Sequence, residues 1–324
     1  LVQYALPKNI ARMQRDLEKY RIQYDKWFLE STLHEDGEVM EIVDILTKKG
    51  LTYEKEGAVW YRATDFGAEK DEVLIRQNGN PTYFTADIAY HRNKFNRGFT
   101  RCIDVWGADH HGHVARMKGA MDAVGLDGSK LDVVLIQLVR LVRAGEVVRM
   151  SKRSGKAIQL ADLLDEVPID AARFLFNMRE ANTQMDFDLD LAVQEDSQNP
   201  VYYVQYAHAR ICSLFQKLAG EGLTLRPCTS EELALLSAPE EIELLRHIAS
   251  YTDEIVAAAR GYDPARITRY VITLANLFHS FYNACRIGGE EDSLAHARLQ
   301  LCSAVLTVIR NVLGMFKITA PERM

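Results

Sequence analysis

Nowhere in this 324-residue chain does an uninterrupted apolar run approach the roughly 20 residues a membrane-spanning helix needs, so no helical span is expected. A C-x-x-C pair is also missing. The five cysteines, Cys102, Cys212, Cys228, Cys285 and Cys302, therefore read as reduced, mostly buried thiols of a cytoplasmic protein. No secretory signal is visible, and the chain opens on Leu1 rather than Met, which reads as a fragment. Internal repeats and low-complexity segments are absent. Positive charge is not in excess: the net charge of -6 argues against indiscriminate coating of nucleic acid, while leaving room for a local basic groove. What is present, 48% hydrophobic and 26% charged residues, is the balance of a soluble globular protein with length for two domains.

The opening reads as an α+β module over about residues 10–72. Met13, Leu17, Tyr20, Tyr24 and Phe28 recur at helical spacing, and a second helix fits Val39 to Lys48, stopped by Gly50. A small β-element is expected around Glu56-Gly57. From residue 73 the pattern changes. Val73 to Arg76 and Thr82 to Phe84 flank Asn78-Gly79 as a hairpin, and Thr85 is expected to cap a helix through Phe95. A strand Cys102 to Trp106, a helix His111 to Val124 and a strand Val133 to Leu138 follow. That order implies parallel strands with crossovers, about half of a doubly wound, Rossmann-like nucleotide-binding sheet.

Short helices are expected over Ile158 to Val167 and Pro168 to Ala181, then a polar linker, Asn182 to Asp188. A domain boundary falls near Ser197 to Pro200, dividing the chain into 1–196 and 197–324. The second part reads as an all-α bundle with three apolar stripes: Val204, Ala207, Ile211, Leu214, Leu218; Val271, Leu274, Phe278, Phe281, Cys285; and Leu301, Val305, Val308, Val312.

Ligands of doubly wound sheets sit at the carboxyl ends of the strands, and three polar clusters fall there: Tyr83 to Asp87, Gly107 to His113, and Arg149 to Lys156. The last, with its Met150-Ser151-Lys152-Arg153 core and Gly155, suits a polyphosphate: lysine is a mobile point charge, serine a small donor, and glycine admits close backbone approach. The alternative is a solvated basic loop. In the second cluster, Asp109 at a helix start can accept from ribose hydroxyls. Its rivals are helix capping and a metal site on His110, His111 and His113, whose H-H-x-H pattern lacks the i, i+4 spacing that puts two ligands on one helical face.

Trp106-Gly107-Ala108-Asp109-His110, followed some forty residues later by Met150-Ser151-Lys152-Arg153, resembles the class I aminoacyl-tRNA synthetases and their KMSKS signature. Within that class, Tyr83-Phe84-Thr85-Ala86-Asp87-Ile88-Ala89-Tyr90-His91 and Asn199 to Arg210 are similar to the arginyl-tRNA synthetase family, as is the terminal Thr319 to Met324. The likeness covers essentially the whole chain, and the QYAHAR-type segment is its most specific part.

The resemblance implies an arginine–tRNA ligase that activates arginine with ATP and Mg²⁺ and passes it to tRNA(Arg), as a monomer without a structural metal. It implies that Tyr83 and Asp87 bind the arginine substrate, with His110 standing where some relatives carry a glutamine. A carboxylate can grip a planar guanidinium through two parallel hydrogen bonds. The bland alternatives are a first-turn helix acid for Asp87 and a half-buried strand aromatic for Tyr83. Gly107, Asp109, His113, Met150, Ser151, Lys152 and Arg153 would contact ATP, with Lys152 catalytic through charge building at the α-phosphate. Arg149 and Arg153 depart from the Lys and Ser of the signature but keep positive charge there. Tyr203, Tyr206, Arg210, Tyr282 and Met324 would read the anticodon, making 197–324 an anticodon-binding domain, unless the two tyrosines on the first helix merely extend the core. The HIGH signature of the class does not occur in the chain. On this resemblance the chain is a C-terminal portion of the enzyme, expected to be inactive alone; the alternatives are a tRNA-binding module without catalysis and a metal-dependent hydrolase built on the histidine cluster.

Overall fold

The computed structural model describes residues 2–148 and 158–324, with side chains from Tyr4 onward. The chain forms two compact units, residues 24–138 and residues 1–23 with 139–324. Helix α1 (Val2–Lys19) belongs to the second. The helical spacing read in Tyr20, Tyr24 and Phe28 does not prolong it. The backbone turns at Arg21, where φ is +61°, because Arg173 Nη1 donates to the Tyr20 carbonyl (2.5 Å) and Arg21 pairs with Asp170 (2.5 Å).

The unit of residues 24–138 begins with α2 (Glu30–Glu35) and α3 (Glu38–Lys48), whose Val39, Ile42, Val43 and Leu46 form a buried stripe. Strands β1 (Thr52–Lys55) and β2 (Ala58–Tyr61) pair through a two-residue turn in which Glu56 (φ +54°) and Gly57 (φ +72°) are both left-handed. Two such residues match the right-handed twist of a hairpin. β3 (Glu72–Ile75) pairs antiparallel with β2. It thus joins this small sheet, not the parallel set expected of it.

Thr82, not Thr85, caps α4 (Tyr83–Asn96), accepting from the Thr85 backbone N–H at 3.4 Å. The second limb of the expected hairpin reduces to one bridge between Ile75 and Pro81. Tyr83 is therefore helical, and with Asp87 four residues on it shares a helix face. β4 (Cys102–Gly107), α5 (His111–Val124) and β5 (Leu131–Ile136) make a parallel strand–helix–strand unit in register Cys102↔Leu131 to Gly107↔Ile136. Leu46, Tyr61, Leu74, Ile88, Met117 and Leu131 close one core.

In the second unit, β6 (Val139–Arg143) pairs with β7 (Glu146–Val147) and, in parallel, with β8 (Met185–Asp188). The expected linker thus contains a strand: Met185 and Phe187 alternate with Asp186 and Asp188, Phe187 is fully buried, and Asp186 takes two hydrogen bonds from Arg140. Between them lie α6 (Leu160–Glu166) and α7 (Ile169–Phe176). α8 (Leu189–Ala192) is capped by Asp188.

The rest is helical: α9 (Pro200–Gly220), α10 (Ser230–Leu233), α11 (Pro239–Ala249), α12 (Tyr251–Gly261), α13 (Pro264–Ala284) and α14 (Asp292–Met315). All three apolar stripes are buried in one core, which also takes in Leu163, Phe174 and Phe187. Each buried Val, Leu, Ile or Phe among them contributes roughly 1.5–3 kcal/mol. The carboxyl-terminal segment is tied back by side chains: Gln205 donates to the Thr319 carbonyl (2.9 Å), and the Pro321 carbonyl accepts from His208 Nδ1 (2.8 Å). Among the described residues no helix is long and apolar enough to cross a membrane.

Candidate functional site

The face of α4 that carries Tyr83 and Asp87 opens on a cleft of about 740 Å³, closed opposite by β4 and the start of α5. Tyr83 is 78% exposed, and the Asp87 side chain is 48% exposed. Asp87 is the fifth residue of α4, past the first turn, so the helix-dipole reading of its charge loses its geometry. Its carboxylate faces His113, whose Nε2 lies 3.5 Å from Oδ2.

The cleft holds a second carboxylate, Asp104, already occupied. Lys94 Nζ donates to its Oδ1 at 2.8 Å, and His91 Nε2 lies 2.7 Å from its Oδ2. Burial alone would raise the Asp104 pKa; the hydrogen bonds from His91 and Lys94 outweigh it and hold the carboxyl below its usual range. His91 Nδ1 lies 2.7 Å from the Asp87 carbonyl oxygen. Sequence reasoning missed Lys94 and Asp104, although both are charges on elements flanking the recognised clusters.

His110 and His113 line the cleft beside Trp106, whereas Gly107 and Asp109 do not. A Cβ at Gly107 would lie 2.5 Å from Asp109 Oδ1, so glycine there leaves the carboxylate its position. Among the described residues no group of three or more His, Cys, Asp or Glu is placed to hold a metal, so His110, His111, His113 and Asp109 do not converge. Met150, Ser151, Lys152 and Arg153 lie outside the described residues.

In the helical unit, Tyr203, Tyr206 and Arg210 of α9 meet Tyr282 of α13 around a residue that sequence reasoning missed, His279. Its ring centroid lies 4.9 Å from that of Tyr203 and 5.7 Å from that of Tyr206. The Arg210 guanidinium stands 4.1 Å from the Tyr282 ring centroid and donates to His279 Nδ1 at 3.3 Å. The only sequence signal for His279 is its place three residues before Tyr282, one turn away. Met324 lines a separate groove with Tyr202 and Gln205.

Burial, then the Arg210 charge, push the His279 pKa down from 6.5 to about 4. Burial also lowers that of His208, against a hydrogen bond to Pro321. An unfolded chain takes up these protons below 6.5 and the folded chain does not, so stability present above that pH is lost as pH falls towards about 4. Thermal melts across this window should show the loss, and His279→Phe should show less of it.

A sequence model of the family described as tRNA synthetases class I (R), catalytic domain, matches residues 7–213. The chain belongs to the class I arginyl-tRNA synthetase family. A model of the DALR anticodon binding domain matches residues 204–324. Arginine–tRNA ligases of Acetivibrio thermocellus and Caldanaerobacter subterraneus are each 56% identical over the whole chain, which spans 58% of their length. A solved Campylobacter jejuni structure, provisionally assigned as an arginyl-tRNA synthetase, superposes with a TM-score of 0.89 at 33% identity, covering 99% of this chain and 69% of that one. The Thermus thermophilus arginyl-tRNA synthetase shares the fold, with a TM-score of 0.84 at 20% identity over the whole chain and 64% of its own. The α/β part followed by helices is the architecture of this family.

Proposed function

We propose that this chain supplies the arginine cleft, the ATP-phosphate loop and the anticodon-reading helices of a cytoplasmic arginine–tRNA ligase. The observation that carries the reading is the pair Tyr83 and Asp87 on one face of α4, above a cleft whose other carboxylate is already paired. Asp87 grips the guanidinium, Tyr83 lies along it, and His110 stands at the cleft rim. The arginine carboxylate then attacks the α-phosphorus of ATP, forming the adenylate and releasing pyrophosphate. Mg²⁺ enters with ATP as part of that substrate. Gly107, Asp109 and His113 meet the nucleotide, Met150, Ser151 and Arg153 hold its phosphates, and Lys152 meets the charge that builds there. The terminal ribose hydroxyl of tRNA(Arg) attacks the adenylate carbonyl and releases AMP. Functionally the chain divides near residue 197, catalytic before and anticodon-binding after, a cut different from its compact units.

Tyr203, Tyr206, Arg210 and Tyr282 form the face offered to the anticodon, with Met324 at its margin. Stacking of a base on an aromatic ring contributes roughly 1–3 kcal/mol. Tyr206 is 41% exposed, so Tyr206→Ala should weaken binding of an arginine tRNA anticodon stem-loop by about tenfold or more, with the melting temperature nearly unchanged. Tyr206→Phe should cost less. A lowered melting temperature with unchanged stem-loop affinity would mark Tyr206 as a core residue instead.

A further inference from the structure

Within the cluster on α9 and α13, His279 is the member that ligand cannot reach. It is 9% exposed, and its Nε2 is fully covered and without a hydrogen-bond partner among the described residues. Arginine carries donors only, so His279 Nδ1 accepts from Arg210, and the single proton of the ring sits on Nε2. The cost of covering that N–H is borne in a place where both tyrosine rings lean on the imidazole.

We propose that His279 is a positioning residue for anticodon recognition: its neutral ring holds the Arg210 guanidinium against Tyr282 and sets the tilt of Tyr203 and Tyr206, so that a stacking platform for single-stranded bases exists before RNA arrives. The proposal rests on the anticodon reading of this face. An arginine on a helix surface samples many rotamers, and ordering it at the moment of binding opposes association. Here the ordering is done in advance, by one hydrogen bond and two cation–ring contacts, at 4.1 Å on Tyr282 and 5.9 Å on Tyr206. A neutral acceptor is required, since a protonated imidazole would face the guanidinium with like charge. Burial and Arg210 keep the ring neutral by lowering its pKa to about 4.

The test uses the full chain and an arginine tRNA anticodon stem-loop. His279→Phe keeps a ring in the core and removes the acceptor; it should weaken stem-loop binding by roughly tenfold, the scale of losing a hydrogen bond to a charged group. His279→Asn, whose side-chain oxygen can stand in for Nδ1, should recover much of that loss. Arg210→Ala should be as weak as His279→Phe, and the double variant no weaker than either, because both break one device. In ¹⁵N-histidine spectra of the wild-type chain, His279 should carry its proton on Nε2, and Arg210→Ala should shift its Nδ1 signal. A wild-type chain that ignores the stem-loop ends the anticodon reading and this proposal with it. A wild-type chain that binds, with His279→Phe binding equally well, ends the proposal alone. So do additive losses in the double variant. Should His279→Phe lack a cooperative melt, the spectra and His279→Asn decide: a proton on Nδ1, or His279→Asn no better than Arg210→Ala, overturns it.

Discussion

Lys152→Ala is expected to slow arginyl-adenylate formation by roughly 10²- to 10³-fold, the scale of removing one preorganised charge-stabilising group. The expectation rests on the resemblance of Met150-Ser151-Lys152-Arg153 to the signature loop of class I synthetases. As the arginine carboxylate closes on the α-phosphorus, negative charge grows on the phosphoryl oxygens and on the departing pyrophosphate. A lysine ammonium placed there gains more in the transition state than in the ground state, so its loss lowers the rate constant and not merely the affinity. Arginine binding uses a different end of the substrate and should change by no more than about twofold. Pyrophosphate exchange in an enzyme that joins this chain to the remaining length of its relatives measures both quantities. Equal losses in ATP affinity and in rate constant would make Lys152 an anchoring residue.

Helical stripes were the most legible feature of the chain. Val204 to Leu218 on α9 and Val271 to Phe281 on α13 keep their spacing over several turns, and periodicity of that length outweighs local exceptions. Short segments misled for physical reasons. Thr82-Tyr83-Phe84 has strand-forming side chains, yet Thr82 caps a helix and Tyr83 and Phe84 start it, since capping and burial of Phe84 outweigh weak β-propensity. Asn182 to Asp188 is polar enough to read as linker, and only the alternation ending in buried Phe187 betrays β8. Helical spacing past Lys19 was real, but the hydrogen bond from Arg173 and the pairing of Arg21 with Asp170 are made by residues some 150 positions away.

The cleft was half legible. Tyr83, Asp87, His110 and His113 were recognisable from their neighbours in sequence. The pairing of Asp104 by Lys94 and His91 depends on β4 lying beside α4, which no spacing along the chain encodes. The same holds for His279, whose partners on α9 are about 70 residues earlier.

That pairing sharpens the account at Asp87. Asp104 is nearly buried and its charge is already met by Lys94, with His91 on its other oxygen, so it is a poorer partner for a guanidinium than Asp87. Asp87→Asn keeps the shape and the helix face but removes the charge and one acceptor. A hydrogen bond to a charged group contributes roughly 1.5–3 kcal/mol, which corresponds to a loss of about ten- to a hundredfold in arginine affinity. Lys94 stays neutralised by Asp104, so the rest of the cleft should keep its charge balance. The deciding measurement is the pair of Michaelis constants, for arginine and for ATP, in pyrophosphate exchange by the joined enzyme and its Asp87→Asn variant. The account predicts an arginine constant raised about ten- to a hundredfold with the ATP constant nearly unchanged. An unchanged arginine constant would contradict it.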